Sequence, residues 1–482
     1  MLIDTAPLSK LDSFPYRHRV AEVMNRPLLT GPASLSLGEA CQRIAKARVS
    51  ALVVVDGEDR PIGVMTERDL VNAIAHRGKA ALDLIVHDVM SRPVQTVADK
   101  DFVHVALGRM SRLGVRHLVA VDCEGKAIGM VTGRALLQLR SRETILLADG
   151  VATAQNAFDL YRVKMALPEL ARHLLAEGLG MLEIAAVMSS TLKGIVARAS
   201  ELAVQSLADD GWGQAPVKFC LLALGSVGRG ESLLGGDQDT ALIFDGGPEH
   251  DAWFAEFGKR VSRLLADSGI PYCQGKVMAS EAFWRRPLAD WKIEISRWVD
   301  KAMPETMLNV DIFFDFAPAF GDVTLAASLK AHALATAGAS PFFLRMLANE
   351  VERAEPPLGV LGGFDLEDGR LAVKLHGLLP IVNAARVMSL KAGVDANGTA
   401  ARLAGLASLG KIEESDAAET RDIYELFLSV LLDQQLFDLS EGRPASSKID
   451  PTRFKRSQLN RLKTGFKHLK LTKSMIAHLL GH

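Results

Sequence analysis

The chain has 482 residues, room for about three domains at roughly 150 residues each. Lys and Arg number 56 against 57 Asp and Glu, a formal net charge of -1, so no global field draws in nucleic acid or an anionic membrane. The 48% hydrophobic content contains no run near the roughly 18 apolar residues of a membrane span, and the opening residues lack the apolar core of a signal peptide. Cys41, Cys123, Cys220 and Cys273 form no close pair suited to zinc, and so few in this length suggest a reducing, cytoplasmic setting.

In chain order, the first signal is an internal repeat. Val23-Met24-Asn25-Arg26-Pro27 recurs as Val89-Met90-Ser91-Arg92-Pro93, and Gly63-Val64-Met65-Thr66 recurs as Gly129-Met130-Val131-Thr132, both at an offset of 66 residues. Between the anchors each copy has an amphipathic stretch and then a β-branched run, which predicts a short helix and a buried strand. One copy is too small to bury its own apolar face, so the two are expected to pack as a pair. Thr66 is placed to cap a following helix, with Asp69 in its first turn, where a carboxylate is stabilised.

This repeat resembles a pair of cystathionine-β-synthase-type (CBS) domains over residues 19–142. The resemblance implies an α/β pair that forms a homodimer, with Thr66 and Asp69 contacting AMP or ATP. Copy two departs from the pattern, with Ala135 where the acid would stand. The rival reading of the pair is a purely structural or dimerising module.

Residues 146–210 show apolar spacing of three and four and read as a helical linker between modules. The strongest chemical signal follows. Phe219 to Leu224 is a buried strand, Gly225-Ser226-Val227-Gly228-Arg229-Gly230-Glu231 a tight turn, and Thr240 to Phe244 a second strand entered through Asp237-Gln238-Asp239. In extended backbone the two acids point to one face. Carboxylates held that close repel unless a cation lies between them. A glycine-rich turn opposite them offers backbone N–H groups to phosphate oxygens. A metal–triphosphate complex fits this set better than a hydrolytic site does.

The run resembles the DNA polymerase β-type nucleotidyltransferase signature, and more specifically the GlnD-like and DUF294 nucleotidyltransferase families. The resemblance implies transfer of a nucleoside monophosphate from an NTP to a hydroxyl on a protein or small-molecule acceptor. For a [protein-PII] uridylyltransferase-like reaction the acceptor is a tyrosine. Asp237 and Asp239 would hold Mg²⁺, with Asp315 of Phe313-Phe314-Asp315 as the third ligand of two ions and Asp311 as its runner-up. Both are expected on a third strand, four residues apart and on one face. Gly225, Ser226 and Gly228 would cradle phosphates, and Arg229 would neutralise developing charge. Ala317 stands where the family commonly has Arg. Trp284-Arg285-Arg286 and Trp291 resemble the substrate-side loop; Arg285 and Arg286 are either phosphate ligands or solvated. His250 and His376 have no evident partner.

Residues 211–335 thus read as a nucleotidyltransferase domain with a mixed sheet and helices, and 336–482 as a helical domain resembling the DUF294 substrate-binding domain. Lys374, His376 and Arg386 are its polar cleft candidates, with Ala372 where the family often has Asp. The last helix carries Lys455, Arg456, Arg461, Lys463, Lys467, Lys470 and Lys473 beside apolar Leu459, Leu462, Phe466, Leu469 and Leu471, the pattern of a packed helix with a solvated basic face. The whole is an α/β and α multidomain chain. The readings from other classes are a catalytically silent nucleotide sensor and a scaffold dimerised by its N-terminal pair.

Overall fold

The computed structural model describes residues 18–47, 49–132, 149–301, 310–359 and 363–481. The opening residues, Ala135 and Asn309 lie outside them. The chain divides into two compact units, Met1–Ile145 and Leu146–His482. Among the described residues no helix is long and apolar enough to cross a membrane.

The first unit is the repeat made solid. Copy one has β1 (Thr30–Pro32), α1 (Leu37–Ala47), β2 (Ala51–Val55), β3 (Pro61–Thr66) and α2 (Glu67–Arg77). Copy two has β4 (Thr96–Ala98), α3 (Val103–Leu113), β5 (His117–Val121) and β6 (Ala127–Thr132). Each sheet has the same pattern: β1 runs parallel and β3 antiparallel to β2, as β4 and β6 do to β5. The copies are locked reciprocally. Asn25 of copy one bridges Met130 of copy two, and Ser91 of copy two bridges Val64 of copy one. A Cβ on Gly63 would collide with the sulfur of Met90, and one on Gly129 with the sulfur of Met24. That exchange explains why Met and Gly recur together. Ala51, Val53, Val119 and Met130 close the shared core.

The second unit is built on a four-stranded mixed sheet. Its strands are β7 (Phe219–Ala223), β8 (Thr240–Phe244), β9 (Arg285–Pro287) and β10 (Ala317–Gly321). β7 is antiparallel to β10 and β8, and β8 is parallel to β9. Both faces are covered, which is why β7 and β8 read as unbroken apolar runs. Phe219, Leu221, Leu242 and Phe244 join one core with α4 (Ala157–Ala176), α5 (Met181–Asp209) and α7 (Asp251–Asp267), α6 being the short Gly225–Arg229 helix. Cys220, Leu222, Ala241 and Ile243 join the other, with α8 (Leu288–Lys301), α9 (Val323–Gly338) and α10 (Pro341–Arg353).

The C-terminal layer adds a π turn at Lys374–Leu378, then α11 (Leu379–Ala392), α12 (Thr399–Ser408), α13 (Glu414–Ser440) and α14 (Arg456–Leu480). On α14, Leu462, Phe466 and Leu469 are buried while Arg456, Arg461, Lys467 and Lys470 are exposed, as is Lys455 just before it, the packed helix with a basic face that its spacing predicts.

Two expectations change here. Residues 157–209 are a structural layer of the second unit: Leu160, Ile184, Met188, Ile195 and Ala199 are fully buried in the same core as the sheet. Asp311 and Asp315 are not on a strand. Residues 310–313 are helical, Phe314 N donates to Val310 O, and β10 starts only at Ala317. Four-residue spacing shares a face in a helix as it does in a strand, so the two acids remain neighbours.

Candidate nucleotide-transfer site

The chain enters β8 through Asp237-Gln238-Asp239. Gln238 turns inward: its backbone N–H donates to Pro271 O at 3.1 Å and its Nε2 to Ser262 O and Ile270 O, both at 2.9 Å. The alternation of extended backbone then sends Asp237 and Asp239 the other way. The strand-like bridge between Gln238 and Tyr272 lays residues 271–273 alongside, and this brings in Cys273. One ligand atom each from Asp237, Asp239 and Cys273 lie within 4.8 Å of one another. Sequence reading missed Cys273, because nothing local marks a residue on a distant loop.

The electrostatics fit a cation. Burial first, then the charge of Asp237, raises the Asp239 carboxyl to about 6. Opposing pulls come from hydrogen bonding with Cys273 and from the charges of Lys374 and Arg229. Burial pushes the Cys273 thiol up to about 12, so it stays a protonated donor and leaves the carboxylates as hard oxygen ligands.

The turn after β7 is not a loop but the one-turn helix α6. Gly225 has φ +54, and a Cβ there would stand 2.9 Å from Asp239 Oδ2. Glycine thus lets the acid approach the turn. Ser226 faces a cavity of about 50 Å³. Gly228 does not offer a free N–H, since that group donates to Leu224 O at 3.0 Å. Its part is spatial: a Cβ would collide with the carbonyls of Asp315 and Ala223.

Asp315 is not brought into the Asp237 group. It is fully buried and caged by three arginines: Arg229 Nη1 at 2.7 Å, Arg386 Nη2 at 2.5 Å and Arg402 Nη2 at 2.8 Å. Burial pushes its carboxyl up, but the charges of Arg386, Arg402 and Arg229 outweigh this and hold it far below the usual range. Asp311 accepts from Arg386 Nη1 at 2.9 Å and Asn383 Nδ2 at 3.3 Å, so it too belongs to the cage. Arg229 is nearly sealed and also donates to Glu231 Oε2 at 2.9 Å. Glu231, named in the motif without a role, is the joint to the C-terminal layer. It accepts from Thr399 N, from Thr399 Oγ1 at 3.0 Å and from Tyr424 OH at 2.8 Å.

The remaining candidates divide clearly. Arg285 is buried against Asp251, at 2.7 Å, and the carbonyls of Ala279 and Ser280; Arg286 binds Phe283 O and stacks on Phe283 and Trp291. Neither is free for phosphate. His376 faces Glu367, at 3.7 Å, and His250 faces Glu249, at 3.4 Å. The loop ahead of the acids is held from both sides, with Ser232 N donating to Ser189 Oγ of α5 at 2.6 Å and Leu234 N to Gln435 Oε1 of α13 at 3.0 Å.

In the first unit, Asp69 Oδ2 accepts from Thr66 N at 2.8 Å and Thr66 Oγ1 at 2.7 Å, closing a capping box. Ser91 Oγ reaches its other oxygen at 3.4 Å. A cleft of about 810 Å³ opens elsewhere, lined by Ser50, Ala51, Glu67, Met130 and Thr132 among others.

The model of Putative nucleotidyltransferase DUF294 matches residues 165–305, which include the acid pair and the glycine turn, and that of the Putative nucleotidyltransferase substrate binding domain matches residues 341–479. The CBS domain model matches twice, at 20–76 and 86–142. The chain belongs to the DUF294 family and carries a CBS domain pair at its N-terminal end. Asp311 and Asp315 fall between the two DUF294 matches. An uncharacterized protein of Methanopyrus kandleri is 38% identical over 120 residues, 25% of this chain and 61% of that protein, so the chain spans less than two thirds of that relative. Inosine-5'-monophosphate dehydrogenase of Methanocaldococcus jannaschii is 30% identical over 119 residues, 25% of this chain and 23% of that enzyme. A solved CBS domain protein of Pyrobaculum aerophilum, complexed with AMP, is 32% identical and covers 26% of this chain and 99% of its own, with a TM-score of 0.24.

Proposed function

We propose that this DUF294 protein transfers a nucleoside monophosphate from an NTP to a hydroxyl acceptor. The observation that carries the reading is the meeting of the Asp237 and Asp239 carboxylates beside Gly225, with Asp239 held at about 6. A half-buried acid pair in that state gains by binding a cation. Mg²⁺ there would screen phosphate charge and order the phosphates for in-line displacement. Asp237 and Asp239 would hold that ion; Gly225 leaves room for the Asp239 carboxylate, Ser226 would face the phosphates, and Cys273 orients Asp239. The acceptor oxygen forms a bond to the α-phosphorus, the bond to the leaving pyrophosphate breaks, and the hydroxyl proton passes to solvent water. With Asp315 and Asp311 engaged by arginines, the proposed site has one ion rather than two, and Arg229 positions the turn rather than meeting charge.

The acceptor is open to test, with the tyrosine of a PII-type regulator first in line. The CBS pair binds AMP or ATP through Asp69 and Thr66 and modulates the rate. It also pairs with a second copy: α2 buries none of its residues, and its Val71 and Ile74 are 63% and 43% exposed. Incubating the protein with Mg²⁺, each labelled NTP and a cell extract, then identifying the labelled product, tests the central reading. Transfer that Asp237→Asn with Asp239→Asn abolishes supports it. The absence of both transfer and a Mg²⁺·NTP-dependent rise in melting temperature sinks it. The caged Asp315 favours a second reading, a silent site, in which binding is seen without transfer.

A further inference from the structure

We propose that Lys374, carried by the C-terminal layer, is the cation that holds the outer phosphates of the nucleotide; this rests on the acid-pair reading above. The cavity beside the glycine turn is lined on one side by Ser226, Arg229 and Gly236, and on the other by Lys374 and Tyr424. Two cations therefore face it among the described residues, and they are not equivalent. Arg229 is committed to Asp315 and Glu231. Turning it toward a ligand would break two buried ion pairs, one to Asp315 and one to Glu231. Arg386 and Arg402 are sealed in the same cage, and the Arg402 nitrogen without a partner, Nη1, is buried. Lys374 is exposed, and its side chain has no hydrogen bond or ion pair among the described residues. Gly236, the residue before Asp237, lines the same cavity, so Lys374 shares it with the entrance to the acid pair.

The local backbone explains its position. Lys374 opens the π turn Lys374–Leu378, where the helical ladder takes an extra residue. Gly377 in that turn lies against the Phe427 ring, and a Cβ there would stand 3.1 Å from it, so the turn is seated close on α13. The chemistry of the cavity favours phosphate over a base. Its apolar wall is Leu378, Val382, Leu428 and Leu431, and the Gln435 amide there is spent on Leu234 N and Ser446 O. The Lys374 charge and the Ser226 hydroxyl beside that apolar wall suit the end of a triphosphate. A lysine, a flexible point charge, meets such oxygens without fixed geometry.

The test uses the full chain and measures binding by calorimetry. The probes are Mg²⁺·pyrophosphate, the four Mg²⁺·NTPs, the corresponding monophosphates, and Mg²⁺ alone. Lys374→Met keeps the stem and removes the charge. It is expected to weaken pyrophosphate and NTP binding about tenfold or more, as loss of a charge-assisted hydrogen bond does. Monophosphate and Mg²⁺ binding should stay unchanged, the melting temperature of the ligand-free protein should not move, and Lys374→Arg should restore most of the loss. Pyrophosphate bound as tightly by Lys374→Met as by the unaltered chain overturns the assignment, as does an equal loss for the monophosphates. The acid-pair reading fails separately, when the unaltered chain binds no Mg²⁺·NTP or when Asp237→Asn with Asp239→Asn binds it normally.

Discussion

Arg229 and Asp315 are joined by a 2.7 Å ion pair inside the fold, Arg229 nearly sealed and Asp315 fully so. The pair links the turn after β7 to the segment before β10, and Arg386 and Arg402 tie both to the C-terminal layer. Removing one partner from such a set leaves buried charge uncompensated. Asp315→Ala is therefore expected to destabilise the second unit by about 3–5 kcal/mol. All five tryptophans, Trp212, Trp253, Trp284, Trp291 and Trp298, lie in that unit, so urea unfolding followed by their fluorescence reads the loss. A metal ligand at the surface would give the opposite result, so an unchanged midpoint would contradict the cage.

The acid pair should behave in contrast. Asp237 and Asp239 are half-buried like charges, and burial and mutual repulsion raise Asp239 to about 6. Asp237→Asn with Asp239→Asn removes that repulsion, so the ligand-free protein keeps or slightly gains stability. The same change removes the attraction for Mg²⁺, and the rise in melting temperature with Mg²⁺·NTP disappears. A double variant that melts lower in the absence of metal would mark the pair as structural.

How much of this was legible in the sequence follows from the range of each interaction. The repeat was readable because Met24 and Met90 stand at the same offset as Gly63 and Gly129, and each methionine packs on the other copy's glycine. Asp237 and Asp239 share a face by strand alternation, a local rule. Asp311 and Asp315 defeated the same rule: in Val310-Asp311-Ile312-Phe313-Phe314-Asp315 the four-residue spacing fits helix and strand alike, and the Phe pair reads as strand. The cage was out of reach, because Arg386 meets Asp315 across 71 residues of chain. Lys374 was visible as a cleft candidate; that Arg229 is occupied, which gives Lys374 its part, required the structure.

Lys330 gives a pH test of the same region. Its Nζ donates to Phe314 O at 3.1 Å and Asn397 Oδ1 at 2.7 Å. Burial first, then the charge of Arg402, lowers it to about 8 from an ordinary 10.5, with Asp315 pulling the other way. Between these values the unfolded chain binds more protons than the folded one, so the stability of the second unit gains from this group as pH rises. The contribution is present above 10.5 and lost as pH falls through about 8. Lys330→Met should flatten that part of the profile, whatever its overall cost. Parallel profiles for the two proteins would show that Lys330 stays charged.

The reciprocal packing in the first unit predicts a local effect. Gly63→Ala or Gly129→Ala drives a methyl into Met90 or Met24. Overpacking of this kind costs about 1–3 kcal/mol. Hydrogen exchange over β2, β3, β5 and β6 should speed up, while tryptophan fluorescence of the second unit stays as before. Unaltered exchange in either variant would mean that the methionines yield freely and that the glycines are not what locks the copies.

Asp69 carries two roles that one experiment separates. As a cap, its carboxylate serves Thr66 through Oδ2. Its Oδ1 has only the 3.4 Å approach of Ser91, which leaves it capacity for a ribose hydroxyl. Asp69→Ala removes both, and loss of a helix cap costs about 1 kcal/mol in the first unit even without ligand. Asp69→Asn keeps one oxygen acceptor for the cap but removes the charge. If the acid holds an adenine nucleotide, the rise in melting temperature at high AMP shrinks in both variants, beyond any change in the ligand-free protein. If it is only a cap, the ligand-free value falls in Asp69→Ala while the AMP-induced rise matches the unaltered chain. A third pattern would relocate the nucleotide: Thr132→Val abolishing the rise while both Asp69 variants keep it assigns AMP to the cleft of about 810 Å³ that Thr132 lines. The expected result is the first, because Asp69 stands in the first turn of α2 with an oxygen to spare, whereas the Thr132 cleft has only Glu67, the first residue of α2, as a carboxylate on its wall.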